Sequence, residues 1–262
     1  MKRLCASIGF LSLVGMVGCA AEDQVEARTA EIQSDQALLV FSKTAGYRHG
    51  SIDAAVPAIT ALAEGREASV HATEDASFFT DANLERFGAV VFVNTTGPVL
   101  DGEQQAAFER YIRNGGGYVG IHAASDIFPF PPPGMPIDEW EWYNRLVGTV
   151  FASHPEQQEA SLIVVDPDHP ATSMLEERWV KFDEWYNFRE VPDHVNVLLR
   201  LDTESYEGSA HPGDHPIAWY HEYDGGRAFY TGLGHTTESF TEEPLFLEHL
   251  WGGIEYAMGS VQ

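Results

Sequence analysis

Cysteine is nearly absent from this chain. Two occur among 262 residues, Cys5 and Cys19, both close to the start. Everything after Cys19 therefore has no disulfide, no thiolate metal ligand and no cysteine nucleophile. Basic residues are also scarce, with Lys+Arg at 15 against Asp+Glu at 40 and a formal net charge of −25. So acidic a protein repels phosphate backbones and anionic lipid surfaces, which excludes nucleic acid as a partner. Internal repeats, low-complexity tracts and an interdomain linker are all lacking.

One long apolar run exists, and it is N-terminal. After Lys2 and Arg3, "LCASIGFLSLVGMVGCA" is apolar and ends on small residues around Cys19. It is shorter than the ~20 residues a spanning helix needs and has the layout of a secretory signal. "MVGC" resembles a bacterial lipobox, with Met16 in place of the usual Leu. The expectation is a lipoprotein-type signal over residues 1–18, lipidation at Cys19, and an acidic tether over 19–36. The protein would be exported to the periplasm or cell envelope, touching membrane only through that anchor.

The remainder, residues 37–260, reads as a single α/β domain. "ALLVF", "ASVHA", "AVVFVN" and "YVGIH" are short apolar runs fitting buried strands. Between them, Ile52, Val56, Ile59 and Leu62 recur at helical spacing, with Ser51 or Asp53 as N-cap and Pro57 in mild conflict. Asp101 and Gln104 form a capping-box pattern before a second helix with Phe108, Tyr111 and Ile112 on its apolar face. Alternating strands and helices predict a central, mostly parallel sheet flanked by helices on both faces. "SLIVVD", "VNVLLRLD", "IAWYHEY" and "AFYTG" add strands in the C-terminal half, with Asp-Gly-Gly turning a hairpin between the last two. "FPFPPPGMP" is an extended loop, and "EWEWYNRLVG" and "PLFLEHLWGGIEYAMG" read as helices.

In such sheets ligands bind beyond the carboxyl ends of the strands, where "TAGYRHGS", "NTTG" and "HAASD" would lie together. "GYVGIHAASD" has the strand–turn–helix outline of a nucleophile elbow, with His122 at the apex among small residues. With "FVNTTG", "DEWYNF", "HPIAWYHEYDGGRAFYTGLGHTTESF" and "HLWGGIEYAMG", these stretches resemble the ThuA-like, trehalose-utilisation family. The resemblance runs from about Ala37 to Gly259. It implies a flavodoxin-like fold of the class I glutamine amidotransferase type, and action on trehalose-type disaccharides or their keto derivatives in sugar catabolism. In true amidotransferases the elbow carries Cys and a later His and Glu complete a triad. Here His122 takes the elbow, and His235 and Glu238 echo the later pair. Glutaminase chemistry is excluded, because no thiol is available.

The remaining inventory is histidine and carboxylate. Neutral imidazole is both the commonest metal ligand and a general acid/base near neutral pH. His122, His235 and Glu184 are the catalytic candidates, and His122, His154, His235 and Glu184 the candidate ligands of one divalent ion, zinc or manganese. Arg48, His49, Thr96, Asp126, Trp185, Tyr186, Asn187 and Glu238 are the candidate substrate contacts. "DEWYNF" would supply rings for sugar faces and polar groups for hydroxyls. Asp183 belongs to the same His/carboxylate inventory. No nucleotide cofactor is expected, and the oligomeric state is not legible. Isomerisation, hydration, elimination and hydrolysis all suit this inventory. A non-catalytic carbohydrate-binding lipoprotein is the alternative. A serine hydrolase built on Ser125 lacks the G-x-S-x-G frame.

Overall fold

The computed structural model describes residues 36–127 and 140–260. The signal and nearly all of the tether, Cys19 included, lie outside the described residues, as does the Pro-rich stretch. Apolar runs become strands where expected: β1 (Ala37–Phe41), β2 (Ser69–Thr73), β3 (Ala89–Val93) and β4 (Gly117–Ile121). Every residue of β1, β3 and β4 is buried, which is why they read as unbroken apolar runs and not as alternating ones. Helices α1 (Ile52–Glu64), α2 (Asp81–Leu84), α3 (Gly102–Arg113) and α4 (Glu141–Val147) fall between or after them. Both halves of the capping box at Asp101 and Gln104 form.

The second half supplies β5 (Phe151–Ser153), β6 (Gln158–Val164), β7 (Arg178–Asp183), β8 (Asn187–Phe188), β9 (Asn196–Leu201), β10 (His215–Tyr223) and β11 (Gly226–Thr231). Helices α5 (Thr237–Thr241) and α6 (Pro244–Met258) close the chain. Nine strands make one sheet in the order β2-β1-β3-β4-β11-β10-β9-β6-β7, and β5 pairs with β8 separately. The pairs from β2 to β11 are parallel and those from β11 to β7 antiparallel. The sheet is thus mixed, and its parallel half is the part the alternating pattern announced.

Close approach fixes two glycines. A Cβ on Gly117 would sit 2.3 Å from the Ala257 carbonyl oxygen of α6, so only glycine lets that helix lie against the start of β4. Gly234 has φ +101°, the left-handed turn between β11 and His235. Two expectations change. Pro57 lies inside α1, which runs on through it. Ser51 occupies the N-cap position but makes no capping bond. Its hydroxyl instead reaches Gly234 O and accepts from Asn94 Nδ2.

Candidate functional site

Four strand-exit segments converge at the carboxyl edge of the parallel half. The segment after β1 carries His49, the one after β4 begins with His122, and the one after β11 carries His235. The fourth, after edge strand β7, carries Glu184. One ligand atom from each of His49, His122, Glu184 and His235 lies within 4.8 Å of all the others. The three imidazole centroids form a triangle with sides of 5.1 Å, each pair of rings nearly perpendicular.

His122 has φ 47°, the left-handed region that non-glycine residues rarely enter and that costs ~1–2 kcal/mol. The turn is as sharp as the elbow reading required. The chain leaves it through one short 3-10 turn (His122–Ser125), not the helix expected there. The ring is fully buried, and its Nδ1 donates to Gly232 O at 2.8 Å. In the neutral ring that bond places the proton on Nδ1 and leaves Nε2 bare. Tyr230 and Tyr143 brace the turn from below through their hydroxyls, to the carbonyls of His122 (2.7 Å) and Ala124 (2.8 Å).

The bare Nε2 lies 3.4 Å from Glu184 Oε2 and 3.2 Å from His235 Nδ1, and that Nδ1 lies 3.1 Å from the same carboxylate oxygen. His235 Nε2 is 2.9 Å from the Gln157 side-chain amide. The facing amide atom is Nε2, which donates to the ring, so the neutral His235 imidazole carries its proton on Nδ1, toward Glu184. Burial alone would push the Glu184 carboxyl up, but the His122 and His235 imidazoles, when charged, donate to it and hold it well below the usual carboxylate range. Burial, then repulsion from the other two rings, lowers His49 to about 3, so its imidazole is neutral at ordinary pH. Its buried Nδ1 has no hydrogen-bond partner among the described residues. Tyr186 packs its ring 4.0 Å from His122 and brings its hydroxyl to 3.5 Å from His49 Nε2. Burial, then the Glu184 charge, keeps that phenol protonated.

Other sequence candidates fall elsewhere. His154 reaches Glu184 Oε1 at 3.2 Å but is half exposed and stands outside the four-residue cluster, whose third imidazole is His49. Glu238 is exposed on α5, so the carboxylate partner of His235 is Glu184, not the Glu that comes after it in sequence. Trp185 is fully buried with its indole N–H on Gln158 O, a core position and not a sugar platform. Asn187 clamps a loop through Gly208 O and Ala210 N. Arg48 is turned outward into ion pairs with Glu74 and Asp53. Thr96 holds the Tyr47 carbonyl at 2.7 Å and so supports the His49 segment from behind. Asp126 sits half-buried after the elbow, and burial pushes its carboxyl up to about 6. Ser125 bonds Tyr230 Oη at 3.0 Å and the His122 carbonyl, and it has no imidazole partner among the described residues, so no serine triad forms there.

Sequence reasoning missed Gln157, and it missed the Gly232 carbonyl that orients His122. Gln157 carries no sequence signal. Gly232 lies in the stretch "YTGLGH", but a backbone acceptor leaves no trace in residue types.

The family model for trehalose utilisation matches residues 37–257. A ThuA-like protein from Bacteroides uniformis superposes with TM-score 0.69 at 24% identity, over 85% of this chain and 91% of that one. A ThuA-like protein from Parabacteroides merdae gives 0.67 at 22%, over 86% and 90%. A cytoplasmic protein from Salmonella typhimurium gives 0.57 at 10%, over 84% and 98%. No curated protein matches the chain.

Proposed function

The chain belongs to the ThuA, trehalose-utilisation family, and from that premise we propose that it acts on a carbohydrate at the His–Glu cluster with one divalent metal ion held there. The substrate class is trehalose-type disaccharides or their keto derivatives. The observation that carries the metal is the triangle of His122 Nε2, His235 Nδ1 and Glu184 Oε2, with sides of 3.4, 3.2 and 3.1 Å. His122 Nε2 and Glu184 Oε2 are acceptors that repel at this distance unless a cation or the His235 proton lies between them. Zinc bonds of ~2.0 Å at tetrahedral angles give a ligand–ligand edge of about 3.3 Å, which matches those sides. The orphaned Nδ1 of buried, neutral His49 fits the same role. His49, His122, His235 and Glu184 would hold the ion, zinc or manganese. A bound divalent ion supplies Lewis-acid polarisation of a sugar carbonyl or hydroxyl oxygen.

The residues themselves do the rest. Gly232 O fixes the neutral His122 tautomer with Nε2 toward the cluster, the arrangement that orients metal-bound histidines. His154, half exposed and 3.2 Å from Glu184 Oε1, stands where a sugar hydroxyl entering from solvent meets the carboxylate. Tyr47, 70% exposed with its ring 4.9 Å from that of His49, offers an aromatic face beside the cluster. Membership and the β2-β1-β3-β4 strand order also support a flavodoxin-like, amidotransferase-type frame with helices on both faces. Export and lipidation at Cys19 belong to the same proposal and rest on the sequence.

Metal content of the purified protein tests this reading. About one zinc or manganese per chain, lost in His122→Ala, supports it. No metal after incubation with either ion overturns the metal part. Calorimetric titration with trehalose and a keto derivative then tests the substrate class. Binding without turnover would favour the non-catalytic sugar-binding alternative.

A further inference from the structure

Strand β7 is built inside out. Along "RWVKFD", Trp179, Lys181 and Asp183 are buried, whereas Val180 and Phe182 are 63% and 47% exposed. A shift by one residue would bury Arg178, Val180 and Phe182 and expose Trp179, Lys181 and Asp183, since side chains alternate faces. Hydrophobicity alone does not select between the two faces, so specific polar contacts hold this one. The holding contacts centre on Asp183 and Lys181. Its carboxylate accepts from three backbone N–H groups: Gly234 at 2.9 Å, His235 at 3.0 Å and its own neighbour Glu184 at 2.9 Å. Lys181 Nζ lies 3.4 Å from the same carboxylate and is itself bonded to Ser239 Oγ (2.7 Å) and Glu243 (2.5 Å).

We propose that Asp183 is the positioning residue of the site: it ties the segment bearing His235 to the segment bearing Glu184 and so sets the spacing between those two side chains. This rests on the cluster being the working site. Asp183 touches no reacting group. It acts through the backbone of the two residues it aligns, and Lys181 compensates its buried charge. Strands β11 and β7 stand at separated places in the sheet, with β10, β9 and β6 between them. His235 and Glu184 come from those two strands, and Asp183 accepts from the backbone N–H of both. A buried ionic group that fixes register at the expense of hydrophobic burial is a known use of such groups.

The test is Asp183→Asn in the full chain. An amide can accept through one end only, so at least one N–H of Gly234, His235 or Glu184 loses its acceptor. The double variant Asp183→Asn/Lys181→Met also removes the charge that would otherwise be left uncompensated. It serves if the single variant fails to fold. Tyr111→Phe, which removes a buried hydroxyl at the opposite end of the sheet, is the control for general destabilisation. Two readouts are needed. The first is cobalt(II) affinity and the visible spectrum of the cobalt-loaded protein. The expected result is a ten- to hundredfold loss of affinity, the usual cost of removing an outer support, with altered band intensity. The second is the imidazole nitrogen shifts of His235 and His122 in metal-free protein. His235 should move while Tyr111→Phe leaves it unchanged. Wild-type spectrum, affinity and nitrogen shifts in the Asp183 variants would overturn the proposal. If wild-type protein binds no cobalt, the metal reading fails on its own, and the nitrogen shifts still decide whether Asp183 positions His235.

Discussion

His249 offers a quantitative test of how this interior is wired. It is fully buried on α6, with Nδ1 donating to Ala171 O at 2.7 Å and Nε2 accepting from Thr231 Oγ1 at 3.1 Å. Thr231 immediately precedes Gly232, whose carbonyl orients His122. Both ring nitrogens are satisfied in the neutral form, and a proton added to Nε2 would face only the Thr231 hydroxyl. Burial lowers the imidazole from 6.5 to about 4, against the opposing hydrogen bond to the Ala171 carbonyl. In the unfolded chain the group takes up a proton as pH falls through 6.5, whereas in the fold it resists until about 4. Between those values the unfolded state binds more protons, so stability falls as pH falls. At pH 5 the loss from this one residue is about 2 kcal/mol relative to pH 7.5. The assay is denaturant unfolding of wild type and His249→Gln across that range. The variant will be weaker at neutral pH, because its side chain cannot reproduce both bonds. The informative quantity is the change in the difference with pH, in which contributions from other groups cancel. Wild type should lose about 2 kcal/mol more than the variant between pH 7.5 and 5. Parallel curves, agreeing within about 0.5 kcal/mol, would refute the assignment of a neutral buried ring, since additivity holds to that level.

The same geometry carries three further expectations. His154→Ala should keep the bound metal that His122→Ala and His235→Ala lose, because only the latter two belong to the tight triangle; elemental analysis of the three variants decides it. Tyr111→Phe should cost about 1–3 kcal/mol in denaturant unfolding, since its hydroxyl bonds the Phe87 and Gly117 backbones in the interior. An unchanged midpoint would mean those backbone groups find other partners. Cys19→Ala should move the protein from the detergent phase to the aqueous phase in phase partitioning and remove the mass of the lipid. Equal partitioning of both forms would sink the anchor.

Much of the parallel half was legible in the sequence. Its strands are buried on both faces and therefore appear as apolar runs, and its helices carry local stop and start chemistry such as Asp101 with Gln104. Strand β7 was not legible. Lys181 breaks the apolar run, and its alternation is inverted, so residue type pointed the wrong way. Within "DEWYNF" the reading of rings as a platform failed at Trp185. Aromatic residues in core and binding surface have the same composition, and only the packing separates them. Tyr186, the next residue, does line the cluster. His49 stood among the expected substrate contacts and not among the ligands, and the structure makes it the third imidazole of the cluster.

From sequence alone came the absence of a thiol beyond Cys19, hence no glutaminase chemistry, and the repulsion of polyanions by a strongly acidic chain. The family resemblance came from it as well, and so did the importance of His122 at the end of a buried strand. The absence of a thiol, the charge, the resemblance and the place of His122 after a buried strand are properties of residue types and of short-range order, and they need no coordinates. Which carboxylate meets His235 was decided only in three dimensions. The neighbouring Glu238 points to solvent. Glu184, far earlier in the chain, is drawn in because Asp183 binds the backbone on both sides. Sheet order, through long-range strand pairing, brings those segments together. A contact made by backbone N–H groups leaves no signature in the identity of the residues that supply them.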